Sequence, residues 1–218
     1  MITQIFILGS SSVYGVGAEN GGWADLVKQS FHRKMYGENG VGEKYEVYNL
    51  GKSGAKIEFD TKLFPTLIQE YGRAGKIITI VSIGGNNAKA ENTPTNYVSS
   101  LEEYETQMAQ MLDLLKEKSD VVIVVGGGYV DESKTNPKHN PLTGGKSYFT
   151  NARRKMFEKK CEDLCDQKNI SYVGVELSEK QWQAEYLFRD GLHPNQKGHQ
   201  YIAERVLGEV EEHIKNKN

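Results

Sequence analysis

Short apolar runs alternate along the chain with longer stretches whose apolar residues recur every three or four positions. Residues 5–8 (Ile-Phe-Ile-Leu) are apolar throughout, the pattern of a strand buried on both faces. In the next stretch Trp23, Leu26, Val27, Phe31 and Met35 fall on one side at helical spacing. The alternation continues. Further strands are predicted over 45–50, 76–83, 121–125 and 170–175, and further helices over 59–71, 101–118, 150–167 and 196–214. Pro65 is expected to break or re-aim the 59–71 helix, and Thr150 or Asn151 to cap the 150–167 helix. Alternating doubly apolar strands and amphipathic helices predict an α/β fold: a three-layer α/β/α sandwich with about five parallel strands, flavodoxin-like order 2-1-3-4-5. One segment has neither period. Residues 126–148 hold Gly126-Gly127-Gly128, Asn136-Pro137, Asn140-Pro141 and Gly144-Gly145, and predict a long loop, either a wall of a site or a plain connection.

Composition narrows the class. The chain has 218 residues, 38% hydrophobic and 26% charged, enough to form a core without disulfide or zinc, and one domain over 1–218 is expected. Its 27 basic and 29 acidic residues leave a net charge of −2, which gives no electrostatic footprint for nucleic acid. No apolar run approaches the roughly 20 residues of a membrane span. Met1 leads directly into the first apolar run, without the parts of a signal peptide, so a cytoplasmic location is expected. Cys161 and Cys165 lie four apart on a predicted helix with no second ligand pair, which reads as buried thiols rather than zinc ligands. No metal or cofactor is expected.

Ligands of such sheets bind beyond the carboxyl ends of the strands, so the turns after each strand carry the chemistry. After the first comes Gly9-Ser10-Ser11-Ser12 with Gly15 and Gly17. The spacing fits neither a phosphate loop, which needs a lysine, nor a dinucleotide fingerprint. A nucleophilic serine on a tight turn and a plain connecting turn both fit. After the second comes Asn49-Leu50-Gly51-Lys52-Ser53-Gly54, whose small residues let backbone N–H groups face a ligand. After the third comes Gly84-Gly85-Asn86-Asn87, where an asparagine amide is placed to donate to developing negative charge. Near the carboxyl end Asp190 precedes His193 by three residues. That spacing suits a carboxylate that fixes an imidazole's tautomer, and equally suits a surface contact.

Taken in order, these four blocks resemble the SGNH hydrolases, also called GDSL esterases and lipases. The most specific is Asp190-Gly191-Leu192-His193-Pro194, followed by Gly198 and a closing helix. The resemblance implies a serine ester hydrolase that needs no cofactor and works through an acyl-enzyme. It makes Ser11 the nucleophile, His193 the base, Asp190 the acid that orients it, and Ser11, Gly54 and Asn86 the oxyanion donors. Two positions depart from the family pattern. Ser10 stands where an aspartate is usual, which alters the turn's hydrogen bonds. Asn87 also replaces an aspartate, which is expected to loosen the support behind Asn86.

The polar 126–148 loop favours short-acyl substrates such as acetylated carbohydrates. A thioesterase, a lysophospholipase and a non-catalytic ligand-binding member of the same fold are the alternatives. Tyr14, Tyr129 and His139 are candidate substrate contacts. His199 and Trp182 are expected to pack rather than react.

Overall fold

The computed structural model describes residues 2–37 and 43–215. The strands are β1 (Ile2–Gly9), β2 (Lys44–Gly51), β3 (Gly75–Ser82), β4 (Ala90–Glu91), β5 (Val121–Val125), β6 (Lys138–His139), β7 (Lys146–Tyr148) and β8 (Ser171–Val173). The helices are α1 (Ser11–Tyr14), α2 (Trp23–Tyr36), α3 (Ile57–Tyr71), α4 (Gly85–Ala88), α5 (Leu101–Lys118), α6 (Glu132–Thr135), α7 (Asn151–Lys168), α8 (Glu179–Gln181) and α9 (Gln196–Lys215). After α8 the chain makes a π-helical turn, Trp182–Tyr186.

Five strands form one parallel sheet in the order β2-β1-β3-β5-β8. Counted along the chain, that is the expected 2-1-3-4-5. The interior strand β1 shows why the sheet is covered on both sides. Ile5 and Ile7 point into a core built with Trp23, Val27 and Phe31 of α2 and Ile202, Val206 and Val210 of α9. Phe6 and Leu8 point the other way, among Phe64 of α3, Met108 and Leu112 of α5, and Phe157 of α7. Alternate side chains of one strand thus anchor two helical layers.

Two expectations need correction, those for Pro65 and for residues 126–148, while that for the start of α7 is met. Pro65 lies inside α3, which runs unbroken from Ile57 to Tyr71; the helix gives up one N–H but keeps Ile57, Phe64 and Leu67 buried on one face. Thr150 is the N-cap residue of α7 but makes no side-chain cap bond. Asn151 instead spans Val130, accepting from its N–H and donating to its carbonyl, both at 2.8 Å. The 126–148 segment is not one loop. It contains α6, and β6 and β7 join β4 in a small antiparallel sheet of order β4-β7-β6. Cys161 and Cys165 are free and buried, and no helix among the described residues is long and apolar enough to cross a membrane.

One buried charge stands out in α3. Asp60 is fully buried and neither carboxylate oxygen has a partner among the described residues. Burial pushes its carboxyl up to about 7. The folded state therefore holds this proton more tightly than the unfolded chain, and stability falls as pH rises from about 4 to about 7. Asp60→Asn removes that slope. Its melting temperature relative to the parent is expected to rise between pH 4 and pH 8, by an amount equivalent to about 3–4 kcal/mol. A constant difference between the two proteins across that range contradicts the assignment.

Candidate active site

Strand register decides where the turns meet. Gly9 at the end of β1 lies opposite Gly51 of β2 and Ser82 of β3, so the three turns start level at one edge of the sheet. Ser10 N donates to Ser82 O at 3.3 Å and Lys52 N to Gly9 O at 2.9 Å, joining the turns to one another. Ser11 then opens α1. Ser10, its N-cap residue, makes no side-chain cap bond.

The carboxyl-terminal turn is folded back onto this edge. Phe188 N donates to His193 O at 2.8 Å and Gly191 N to Phe188 O at 3.0 Å. Within the turn, Asp190 Oδ1 accepts the backbone N–H groups of Leu192 (3.0 Å) and His193 (3.1 Å). Its Oδ2 is left to meet His193 Nδ1 at 2.6 Å. Across the imidazole, His193 Nε2 lies 2.8 Å from Ser11 Oγ, a residue 182 positions away in the chain. An ionised carboxylate only accepts, so Nδ1 carries the proton and Nε2 is free to accept one from the hydroxyl. Desolvation acts to raise the Asp190 carboxyl, but the His193 bond and charge and the two backbone N–H groups outweigh it and hold the group well below the usual carboxylate range.

The sequence reading missed a further contact here. Lys138 of β6 donates to the Asp190 carbonyl at 2.8 Å and lies 3.5 Å from Oδ2. The small sheet thus braces the back of the Asp190–His193 turn.

Gly54 sits at φ +81°, in the left-handed region that glycine enters without strain. A Cβ there would also come within 2.8 Å of Leu142 Cδ1, from the small-sheet hairpin. Its N–H has no acceptor among the described residues. Next to it, Ala55 O accepts from Asn86 Nδ2 at 2.9 Å. That bond holds Asn86 against the Gly54 turn and leaves the second amide hydrogen unused. Asn87 does not loosen this arrangement. It is fully buried, accepts from Ile57 N at 3.2 Å and donates to Ser99 Oγ at 3.2 Å, tying α4 to the start of α3. On the β2 side, Asn49 accepts from Gly51 N at 3.1 Å and donates to Asp25 at 2.8 Å.

A cavity of about 100 Å³ opens at Ser11, Asn86 and His193. Tyr14, Tyr129 and His139 are not among its lining residues. Tyr14 is exposed, His139 is exposed on β6, and Tyr129 lines an adjoining small pocket that shares Gly127, Gly128, Arg154 and Glu158 with the cavity. Of the 126–148 segment, Gly126, Gly127 and Gly128 line the cavity, while Leu142 approaches Gly54 and Lys138 reaches Asp190. His199 is fully buried and staples α9 to the α1–α2 connection: it accepts from Trp23 N at 3.1 Å and donates to Val16 O at 3.0 Å. Burial lowers its pKa, consistent with a neutral ring in that role. Trp182 packs as expected, stacked on Tyr186 with centroids 5.8 Å apart, and also lines the cavity.

Comparison with known proteins gives this geometry a context. The chain is 24% identical over 212 residues to GDSL esterase/lipase WDL1 of Oryza sativa subsp. japonica, covering 93% of this chain and 76% of that one. It is 21% identical over 173 residues to an isoamyl acetate-hydrolyzing esterase of Saccharomyces cerevisiae, covering 77% and 70%. Its fold is shared with Axe2, an acetylxylan esterase from Geobacillus stearothermophilus, at a TM-score of 0.64 and 17% identity, covering 95% and 93%. The model of the GDSL-like Lipase/Acylhydrolase family matches residues 7–201, so the chain belongs to that family of carboxylic-ester hydrolases.

Proposed function

We propose that the chain hydrolyses short-acyl carboxylic esters, acetyl esters foremost, through an acyl-enzyme on Ser11. The observation that carries this reading is the unbroken chain of hydrogen bonds from Asp190 through His193 to Ser11 at the mouth of a small cavity. Ser11 Oγ attacks the ester carbonyl carbon as its proton passes to His193 Nε2. The carbonyl π pair moves onto oxygen, where the N–H groups of Ser11 and Gly54 and the free amide hydrogen of Asn86 receive the charge. The pair then returns, the C–O bond to the alcohol breaks, and His193 gives its proton to the leaving oxygen. Water repeats the sequence on the acyl-enzyme, releasing the carboxylic acid and restoring Ser11. Asp190 stays ionised throughout and stabilises the imidazolium.

Cavity size supports the short-acyl assignment. An internal space of about 150 Å³ accommodates benzene, and this one, at about 100 Å³, suits an acyl group of a few atoms rather than a fatty chain. The names of two relatives point the same way, since one acts on isoamyl acetate and one on acetylxylan. Initial rates on an acetylated xylo-oligosaccharide, a short acyl-thioester and a lysophospholipid test the substrate class. Fastest turnover of the acetylated sugar is expected. A rate on the lysophospholipid exceeding it contradicts the short-acyl reading.

Asn86→Ala is expected to lower kcat by about 100- to 1000-fold with KM nearly unchanged, because its amide meets charge present only in the transition state. A raised KM with unchanged kcat contradicts that role.

A further inference from the structure

Much of the Ser11 cavity is apolar, lined by Val124, Val125, Phe149 and Phe157, but one stretch of its wall is polar: Arg154, Glu158 and Trp182 stand there beside Gly126, Gly127 and Gly128. Two donors on that wall, Arg154 Nε and Trp182 Nε1, are buried without a partner among the described residues. Trp182 is only 1% exposed. Arg154 is held in place through Nη2. Its Nη2 donates to Gly128 O at 2.8 Å and lies 3.7 Å from Glu158 Oε1, which in turn accepts from Gly127 N at 3.0 Å. The glycine run has a steric reason: a Cβ on Gly128 would lie 2.2 Å from the Trp182 ring, and one on Gly127 2.4 Å from Arg154 Nη2. Side chains there would push both groups off the cavity.

Native structures leave few buried donors without an acceptor. Two in one wall, behind a reactive serine, mark a place where a ligand atom supplies it. We propose that this wall selects acyl groups bearing an ether, hydroxyl or keto oxygen, which accepts from Arg154 Nε and Trp182 Nε1 while the ester carbonyl lies at Ser11. The inference rests on the proposed esterase reading and narrows its substrate class. A plain alkyl group of equal size would fill the same space and leave both donors unsatisfied, the circumstance in which polar sites discriminate most strongly. The charge balance fits. Desolvation pushes the Glu158 carboxyl up to about 7, against the pull of Arg154 and of the Gly127 N–H. Near neutral pH the guanidinium is thus only partly balanced and favours an electron-rich oxygen.

The test compares 1-naphthyl methoxyacetate with its isostere 1-naphthyl butyrate, each kcat/KM divided by that ester's own hydroxide-catalysed rate constant. The protein is expected to favour methoxyacetate by about tenfold or more on this normalised scale. Arg154→Met is expected to bring the ratio to within about twofold of unity, and Trp182→Phe to lower it about threefold or more. A ratio near unity in the parent protein, or one unchanged in both variants, overturns the inference. Where circular dichroism shows that Arg154→Met has not folded, the parent ratio and Trp182→Phe decide. The two readings fail separately. Turnover of both esters without preference removes only the polar-acyl inference. No turnover of either, with no labelling of Ser11 by an organophosphonate, removes the esterase reading and the inference with it.

Discussion

Ser11→Ala is expected to lower kcat on 1-naphthyl acetate by about ten thousand- to a millionfold while the protein stays folded. The whole loss comes from one hydroxyl. The Ser11 side chain contributes a single hydrogen bond, to His193 Nε2 at 2.8 Å, and alanine fits the first turn of α1 without it. The backbone N–H of residue 11, the Gly54 turn and Asn86 remain, so substrate still binds and the carbonyl stays polarised, but nothing attacks it. Melting temperature is expected to move by no more than about 3 °C, as for a substitution outside the core. Activity within tenfold of the parent, with the fold intact, removes Ser11 from the mechanism.

The second large effect comes from Asp190→Asn, expected to cost about ten thousandfold in kcat. Asp190 Oδ1 accepts two backbone N–H groups, from Leu192 and His193. An asparagine keeps those bonds with its carbonyl oxygen, which turns its NH₂ toward His193 Nδ1. Nδ1 must then accept, the ring proton moves to Nε2, and the imidazole faces Ser11 as a donor instead of a base. Geometry survives and chemistry does not. Steady-state kinetics beside a thermal melt checks this. A loss smaller than tenfold means that the Asp190 charge does not set the tautomer of His193.

Much of this was readable before any coordinates. Residues 5–8 carry no polar position, which makes their strand one buried on both faces, and the structure sets β1 between β2 and β3 with helices on either side. The Asp190-to-His193 spacing is local, so the turn that joins them was visible in the chain itself. What escaped has a common cause. β4, β6 and β7 are two or three residues long and pair Ala90 with Tyr148 and Lys138 with Ser147. Strands that short have no period, and their pairing is set by tertiary contacts. Lys138 reaches Asp190 across 52 positions, so nothing near either residue announces the contact. Arg154 sits in the run Arg153-Arg154-Lys155, which has the composition of a solvated helix face, yet its Nε is buried against a glycine-lined cavity. Pro65 carried a breaker's signal, but α3 continues through it with Phe64 and Leu67 packed in the core.

The proposed chemistry depends on Ser11 being activated by His193, and covalent capture reads that directly. The folded protein treated with a fluorophosphonate is expected to gain one adduct, mapped by peptide mass spectrometry to Ser11, with hydrolysis lost in step and no adduct on the His193→Ala protein. Ester hydrolysis that persists while Ser11 stays unmodified, or an adduct mapped to another residue, contradicts it.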